Sequence, residues 1–192
     1  TYSVKLVVST KTGKDSIEKE KLITILPSTG RKLPYYEGFE NNDLDEKYWI
    51  PGQKGYKYDW ETTNMASYEG NRSLYINNFN IDNSEQVTTI YLPNVDLSGQ
   101  PDAHLKFTYA FAKKGASSRD AMRIYASANC GDTWSLREYL SPNDLPSDPG
   151  YYSSAFLPNS QGQWKDFKLN LNNYTGQSNV LLKLVFYSGE GN

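Results

Sequence analysis

The chain has 192 residues, of which 38% are hydrophobic and 14% aromatic, so it is long enough to bury a substantial core. Its 20 basic and 22 acidic residues are mixed along the sequence and give a formal net charge of −2 at pH 7. It has no basic block of the kind that follows a phosphate backbone, and no apolar run approaches the ~18 residues of a membrane span. We therefore expect neither a nucleic-acid partner nor a membrane span.

The first predicted element is a β-hairpin. The stretch "TYSVKLVVST" alternates apolar and polar residues, and "KLITIL" supplies a second strand, with the polar "KTGKDSIEKE" between them as a turn region. We expect residues 2–8 to pair with residues 22–26. Two strands bury too little apolar area to be stable alone. The following "LPSTGRKLP" contains two prolines, a glycine and small polar residues, which is typical of an interdomain linker.

The rest of the chain is a series of strand candidates separated by turn signals. In "HLKFTYAFA" the apolar side chains of Leu105, Phe107, Tyr109 and Phe111 fall on one face. No amphipathic helix longer than a turn or two is evident. This pattern predicts an all-β protein, an antiparallel β-sandwich of jelly-roll type. The predicted strands are 73–79, 87–95, 104–112, 121–128, 164–171 and 180–188.

Cys130, the only cysteine of the chain, lies in "YASANCGDTW" between two predicted strands. Asparagine, glycine and aspartate favour a tight hairpin turn there. A catalytic thiol needs a base, and the only histidine, His104, lies in another strand without a cue that the two meet. We therefore interpret Cys130 as a turn residue. The sequence also lacks the His-Glu-x-x-His and Gly-x-Ser-x-Gly motifs, so we expect no catalysis by this chain.

Two stretches carry candidate ligands for Ca²⁺. The acidic cluster "ENNDLDE" contains Glu40 and Asp43, and "NFNIDNSE" places oxygen-bearing side chains at alternate positions up to Asp82. Ca²⁺ prefers several carboxylate and carbonyl oxygens from flexible loops. The alternative for both stretches is a solvated loop.

Two aromatic-rich loops are candidate binding surfaces. The stretches "YWIPGQKGYKYDW" and "DPGYYSSAF" place large rings among polar residues, and such rings stack on sugars or anchor peptide partners. For Trp49 and Trp60 we favour a structural role at the ends of the sandwich. The candidate ligand-binding residues are Tyr56, Tyr58, Tyr151 and Tyr152.

Two family resemblances divide the chain. Residues 1–26 resemble the last two strands of a PKD domain, an Ig-like sandwich common in extracellular proteins, and residues 27–34 are the linker. Residues 35–192 resemble the jelly-roll modules of secreted Bacteroidetes proteins, related to gingipain cleaved-adhesin modules and more distantly to MAM domains. The matching pieces occur in the family's order: "EGFEN", "WETTNMASYEGNRSLYINNF", "TTIYLPNVDLSG", "LKFTYAFA", "DAMRIYASANCGDTW", "FLPNSQGQWKDFKLNL" and "NVLLKLVFYSGEGN".

The resemblance implies a function and a location. In this family, a PKD domain followed by such a module lies C-terminal to catalytic domains, including pappalysin-type zinc metalloproteases, in secreted proteins. It implies a secreted, non-catalytic accessory module for adhesion or substrate targeting, with an extracellular protein or glycan and the upstream catalytic domain of the same polypeptide as partners. A carbohydrate-binding module and a structural spacer are the alternatives. The resemblance also implies a structural cation near Glu40.

Overall fold

The computed structural model describes residues 2–23, 25–45, 48–52, 58–81 and 86–191. Within these ranges the chain is nearly all β, with short 3-10 turns at Asn78–Asn80, Gln161–Gln163 and Asn172–Tyr174. The strands are β1 (Tyr2–Ser9), β2 (Lys14–Ile23), β3 (Ile50–Pro51), β4 (Glu61–Thr63), β5 (Ser73–Tyr75), β6 (Val87–Tyr91), β7 (His104–Tyr109), β8 (Ala121–Ser127), β9 (Ser135–Leu140), β10 (Lys165–Asn170) and β11 (Leu181–Tyr187).

Within the described ranges the main sheet has five strands in the order β3-β6-β11-β8-β9, and every neighbouring pair is antiparallel. The other layer consists of two short antiparallel pairs, β4 with β5 and β7 with β10. The predicted all-β antiparallel sandwich is thereby confirmed. Strands β3, β4 and β9 lie outside the segments predicted from the sequence.

The core lies between these layers and is built from alternate residues of each strand. Along β11, Leu182, Leu184 and Phe186 point inward and belong to the buried cluster. The side chains between them point to the opposite face of the sheet, because the side-chain period of a strand is two. Phe111, just after β7, packs edge-on against Phe186 with ring centroids 6.0 Å apart, and this contact joins the two layers.

The N-terminal hairpin differs in register from the sequence prediction. Strand β2 starts at Lys14, so Val4 pairs with Lys19 and Leu6 with Ile17. The turn is short, and the Thr10 amide donates a hydrogen bond to the Gly13 carbonyl at 2.7 Å. Strand β1 is exposed along its whole length. A polar stretch such as "KDSIEKE" can therefore form a strand, because neither of its faces has to be apolar.

The predicted linker, residues 27–34, is hydrogen-bonded to the sandwich. The Arg31 amide donates to the Asn94 carbonyl, and the Arg31 carbonyl accepts from the Asp96 amide, both at 2.8 Å. The Gly30 amide donates to the Ser178 carbonyl, also at 2.8 Å. A Cβ at Gly30 would lie 2.0 Å from the Val95 carbonyl carbon, so only glycine allows this close approach.

Candidate functional site

The outer face of the five-stranded sheet carries a group of rings and cations. Tyr91 of β6 and Tyr125 of β8 are both paired with Lys183 of β11, so the three side chains form one row across the sheet. Arg123 of β8 pairs with Val185 of β11 and with Tyr139 of β9, and these three residues form the next row. We call this surface the aromatic face; it consists of Tyr91, Arg123, Tyr125, Trp134, Tyr139, Lys183 and Tyr187.

Lys183 lies among three rings of the aromatic face. Its Nζ is 4.2 Å from the ring centroid of Trp134, 5.2 Å from that of Tyr125 and 5.8 Å from that of Tyr91. The Tyr91 and Trp134 rings lie 5.8 Å apart in a tilted arrangement. Burial lowers the pKa of Lys183 below its ordinary value, although the surrounding ring faces attract the charged form.

Arg123 has a similar position between two tyrosines. Its Cζ is 4.8 Å from the ring centroid of Tyr187 and 5.2 Å from that of Tyr139. Its Nη1 donates a hydrogen bond to the Tyr187 hydroxyl oxygen at 3.4 Å. A hydrogen bond with the Tyr125 side chain raises the pKa of Arg123, and burial raises the pKa of Tyr187, so the guanidinium is charged and the phenol neutral at neutral pH.

The aromatic face is positively charged in a chain of net charge −2. Within the described residues, neither Arg123 nor Lys183 forms an ion pair with a carboxylate. Across the sheet, the face covers four neighbouring strands, β6, β11, β8 and β9, which is about 14 Å at a strand spacing of about 4.8 Å. Along β11 it extends from residue 183 to residue 187, which is also about 14 Å. This arrangement of ring faces and two cations can stack against a flat apolar ligand surface and attract an anion.

The structure places three of the predicted ligand-binding tyrosines, Tyr58, Tyr151 and Tyr152, in two loops. The half-buried Tyr58 accepts a hydrogen bond at its carbonyl from Thr88 Oγ1 of β6, at 3.5 Å. Tyr151, 62% exposed, forms a bridge with Lys113 beyond β7. Tyr152 follows it, with its ring 4.7 Å from that of Phe156. Tyr56 lies outside the described residues. Whether these tyrosines bind a ligand stays a prediction.

Trp49 has the structural role favoured by the sequence. It is 7% exposed, its ring packs edge-on against Phe39 at 4.9 Å, and its Nε1 donates to the Tyr35 hydroxyl at 3.3 Å. Trp60 is partly buried against the same core cluster. Both tryptophans are therefore packing residues of the sandwich.

Of the predicted cation ligands, Glu40 and Asp43 lie in an exposed loop. Both carboxylate oxygens of Glu40 accept the Asn71 amide at 3.1 Å, and Oε1 also accepts the Arg72 amide at 3.4 Å. Asp43 is exposed nearby in sequence, and Asp82 lies outside the described residues. The described part of the chain contains no group of three or more histidine, cysteine or acidic side chains suited to a metal. Cation binding at Glu40 stays a prediction.

Cys130 and His104 have different partners. Cys130 is exposed, has a φ of 57° and precedes Gly131 with a φ of 87°, as expected for a turn between β8 and β9. Its sulfur accepts a weak hydrogen bond from Asn179 at 3.8 Å, whereas His104 Nδ1 lies 3.3 Å from Asp102 Oδ2.

The helical segments of the described residues are too short and too polar to span a bilayer.

Comparisons with solved structures show the fold. The K1 cleaved adhesin domain of Lys-gingipain from Porphyromonas gingivalis W83 superposes with a TM-score of 0.51 at 16% identity, over 79% of this chain and 92% of that chain. The K2 cleaved adhesin domain of Lys-gingipain gives the same score at 15% identity, over 80% and 95%. A structure described as carbohydrate-binding modules from the beta-sandwich superfamily also gives 0.51, at 14% identity, over 100% and 68%. No family model and no curated protein matches the sequence.

At these identities the likeness supports the cleaved-adhesin resemblance at the level of the fold. Sequence reasoning missed the aromatic face because it searched the loops for exposed rings. A signal was present in the strands: in "TTIYLP", "MRIYAS" and "LKLVFYS" the tyrosines and cations alternate with the apolar core residues. The same period that predicts the core also predicts that these side chains lie together on the outer surface.

Proposed function

We propose that this protein is a non-catalytic binding module that binds an acidic polysaccharide on the aromatic face. The observation that supports this most directly is the position of Lys183 among three rings, with Arg123 between two more on the next row. Sugar rings stack on aromatic side chains through their C–H faces, and carboxylate groups pair with Arg and Lys. The two chemistries together favour a uronic-acid polymer over a neutral one.

The likeness in fold agrees with this proposal. Two of the similar structures are described as cleaved adhesin domains and a third as carbohydrate-binding modules. We infer that the chain acts outside the cell in adhesion or substrate targeting for a larger secreted protein. The ordered sequence resemblance further suggests a peptidase, of the metallopeptidase type, as the catalytic part of that protein.

Polygalacturonic acid and its methyl-esterified form are a suitable pair of ligands, because they share one backbone and differ in charge. We expect the acidic form to bind more tightly. Trp134→Ala should weaken this binding about two- to tenfold, the range for loss of one stacked ring. Isothermal titration calorimetry measures the change, and Tyr36→Ala is the control, since Tyr36 is 84% exposed and lies outside the aromatic face.

Two other results would change the assignment. If Tyr151→Ala or Tyr152→Ala weakens binding while Trp134→Ala does not, the site is the loop predicted from the sequence. If neither polymer binds and a broader set of acidic polysaccharides also fails, glycan binding is wrong. Adhesion to a protein or a spacer role then becomes the better account.

A further inference from the structure

The layer opposite the five-stranded sheet is divided into two pairs of strands. Strand β5 is hydrogen-bonded to β4, and β7 to β10, in the described part of the chain. No other backbone hydrogen bond of residues 73–75 or 104–109 appears among the described residues. Within the described residues, β5 and β7 therefore each have one edge whose N–H and C=O groups lack a backbone partner.

Both open edges border the same cavity, which has a volume of about 510 Å³. Its wall includes every residue from 72 to 76 on one side and every residue from 103 to 111 on the other. Side chains on one face of a strand come only from alternate residues. A wall of consecutive residues therefore means that the cavity runs along the edges of both strands.

The side chains that face this cavity are less buried than their counterparts across the core. Leu74 of β5 and Leu105 and Phe107 of β7 are only partly buried. Leu182 and Phe186 of the five-stranded sheet, which line the same cavity, are 3% and 6% exposed. Among the described residues, apolar surface on the inner side of this layer is thus covered less completely than the facing surface of the five-stranded sheet.

We propose that an extended peptide segment binds in this cavity as an added β-strand between β5 and β7. With the bound peptide, which we call the guest strand, the order of strands in this layer would be β4-β5-guest-β7-β10. This layer of five strands would then face the five-stranded sheet. An extended backbone is the ligand chemistry that open strand edges recognise, because it can offer N–H and C=O groups to both neighbours at the spacing of a sheet. A glycan or an acyl chain cannot supply that repeat.

The walls also specify the side chains of the guest. Its inward residues would contact Phe107 and the apolar floor, so alternate positions should be apolar. Its outward residues would lie beside the outer surface of β7 and β10, where Lys106 and Lys168 are directly paired in register. Within the described residues neither lysine has an ion pair, and like charges placed opposite each other repel. The outward residues of the guest should therefore be acidic.

The test uses a capped six-residue peptide that alternates valine and glutamate, which matches the six residues of β7. We expect saturable binding by calorimetry. We also expect slower hydrogen exchange at the amides of β5 and β7 that point away from β4 and β10. N-methylation of alternate peptide bonds removes hydrogen-bond donors and keeps the side chains, so it should weaken binding at least about tenfold. A valine–lysine peptide should bind the wild type less tightly, and Lys106→Glu, an exposed position, should reverse that order.

Several outcomes would overturn the proposal. Equal binding of the parent and N-methylated peptides would make the cavity a site for apolar ligands rather than for a strand. No binding and no change in exchange would remove the peptide from the account. A concentration-dependent dimer that protects β5 and β7 in the absence of peptide would assign the cavity to a second copy of the chain. None of these results bears on the aromatic face, which lies on the other layer.

Discussion

Glu40 orders a loop through its backbone contacts. Its carboxylate accepts hydrogen bonds from the amides of Asn71 and Arg72, which lie 31 and 32 residues further along the chain. Gly70, with a φ of 67°, lies beside it, and a Cβ there would be 2.2 Å from Glu40 Oε1. The sequence resemblance implies a structural cation near this glutamate, which stays a prediction, and the structure adds a role that does not depend on any cation.

These two roles of Glu40 can be separated by varying calcium. If Ca²⁺ binds only the folded state, millimolar Ca²⁺ should raise the melting temperature and a chelator should lower it again. Glu40→Ala should abolish that difference and also lower the melting temperature in chelator, because two backbone amides lose a charged acceptor. Differential scanning calorimetry measures both effects.

Asp132→Ala is the matched control, since this carboxylate is exposed in the turn at Cys130 and is not a candidate cation ligand. If the wild-type curve is the same with and without chelator, calcium has no structural role here. A lower melting temperature of Glu40→Ala in both conditions would then show that Glu40 stabilises the protein through its hydrogen bonds alone.

At the scale of elements, the N-terminal hairpin and the segment after it differ in how they contact the sandwich. The hairpin strands pair with each other, and apolar side chains such as Leu6 and Ile17 are more than half exposed. The segment 27–34 is anchored by Asn94, which is 1% exposed and whose Nδ2 donates to the carbonyls of Pro27 and Thr29. Arg31 lies over the Tyr48 ring, with its Cζ 3.6 Å from the centroid.

Two deletions test this difference. Removal of residues 1–25 should leave the thermal transition of the sandwich cooperative and nearly unchanged. Removal of residues 1–34 also deletes the Pro27 and Thr29 carbonyls that Asn94 contacts and the Arg31 contacts, so it should cost roughly 2–4 kcal/mol and lower the melting temperature by roughly 5 °C or more.

The full-length Asn94→Ala variant is the control, because it removes the same anchor without shortening the chain. Like the deletion of residues 1–34, this substitution should lower the melting temperature. A loss of cooperative unfolding on removing residues 1–25 would show instead that the hairpin belongs to the core of the sandwich, against the predicted division at residues 26 and 27.

At the scale of the whole molecule, charge is distributed unevenly. The net charge of −2 gives no general attraction for an acidic polymer, so any such attraction must come from a local surface. The aromatic face supplies two cations without ion pairs in the described residues, on the layer opposite the open cavity. Binding of an acidic ligand should therefore depend on salt and on the protonation of this face.

The dependence on pH follows from Lys183. Burial lowers its pKa below the ordinary value, and its charged form is the one that attracts an anion. As the pH rises through this lowered pKa, Lys183 loses its proton and the affinity for polygalacturonic acid should fall. Lys183→Arg keeps a guanidinium that stays charged, so its affinity should persist to higher pH.

Calorimetric titrations across the alkaline range compare the two proteins. The growing negative charge of the rest of the molecule affects both alike, so the difference between their profiles reports on position 183. Identical profiles would mean that Lys183 does not contact the anionic group of the ligand.

The sequence by itself determined the fold class and the turn at Cys130. Period-2 alternation is a local property, and glycine and asparagine specify a turn within a few residues, so both can be predicted without tertiary contacts. The register of the hairpin could not be predicted in this way, because an exposed two-stranded element has no buried face to fix it.

Only the tertiary structure decided which side chains share a surface. Tyr91, Tyr125 and Lys183 come from three separate strands, and their meeting depends on the strand order β6-β11-β8, which alternation cannot specify. The cavity between β5 and β7 likewise depends on two strand edges that are distant in sequence and have no backbone partner among the described residues. The physical reason is that alternation fixes which face of a strand a residue occupies, whereas the order and pairing of strands are fixed by packing across the whole core.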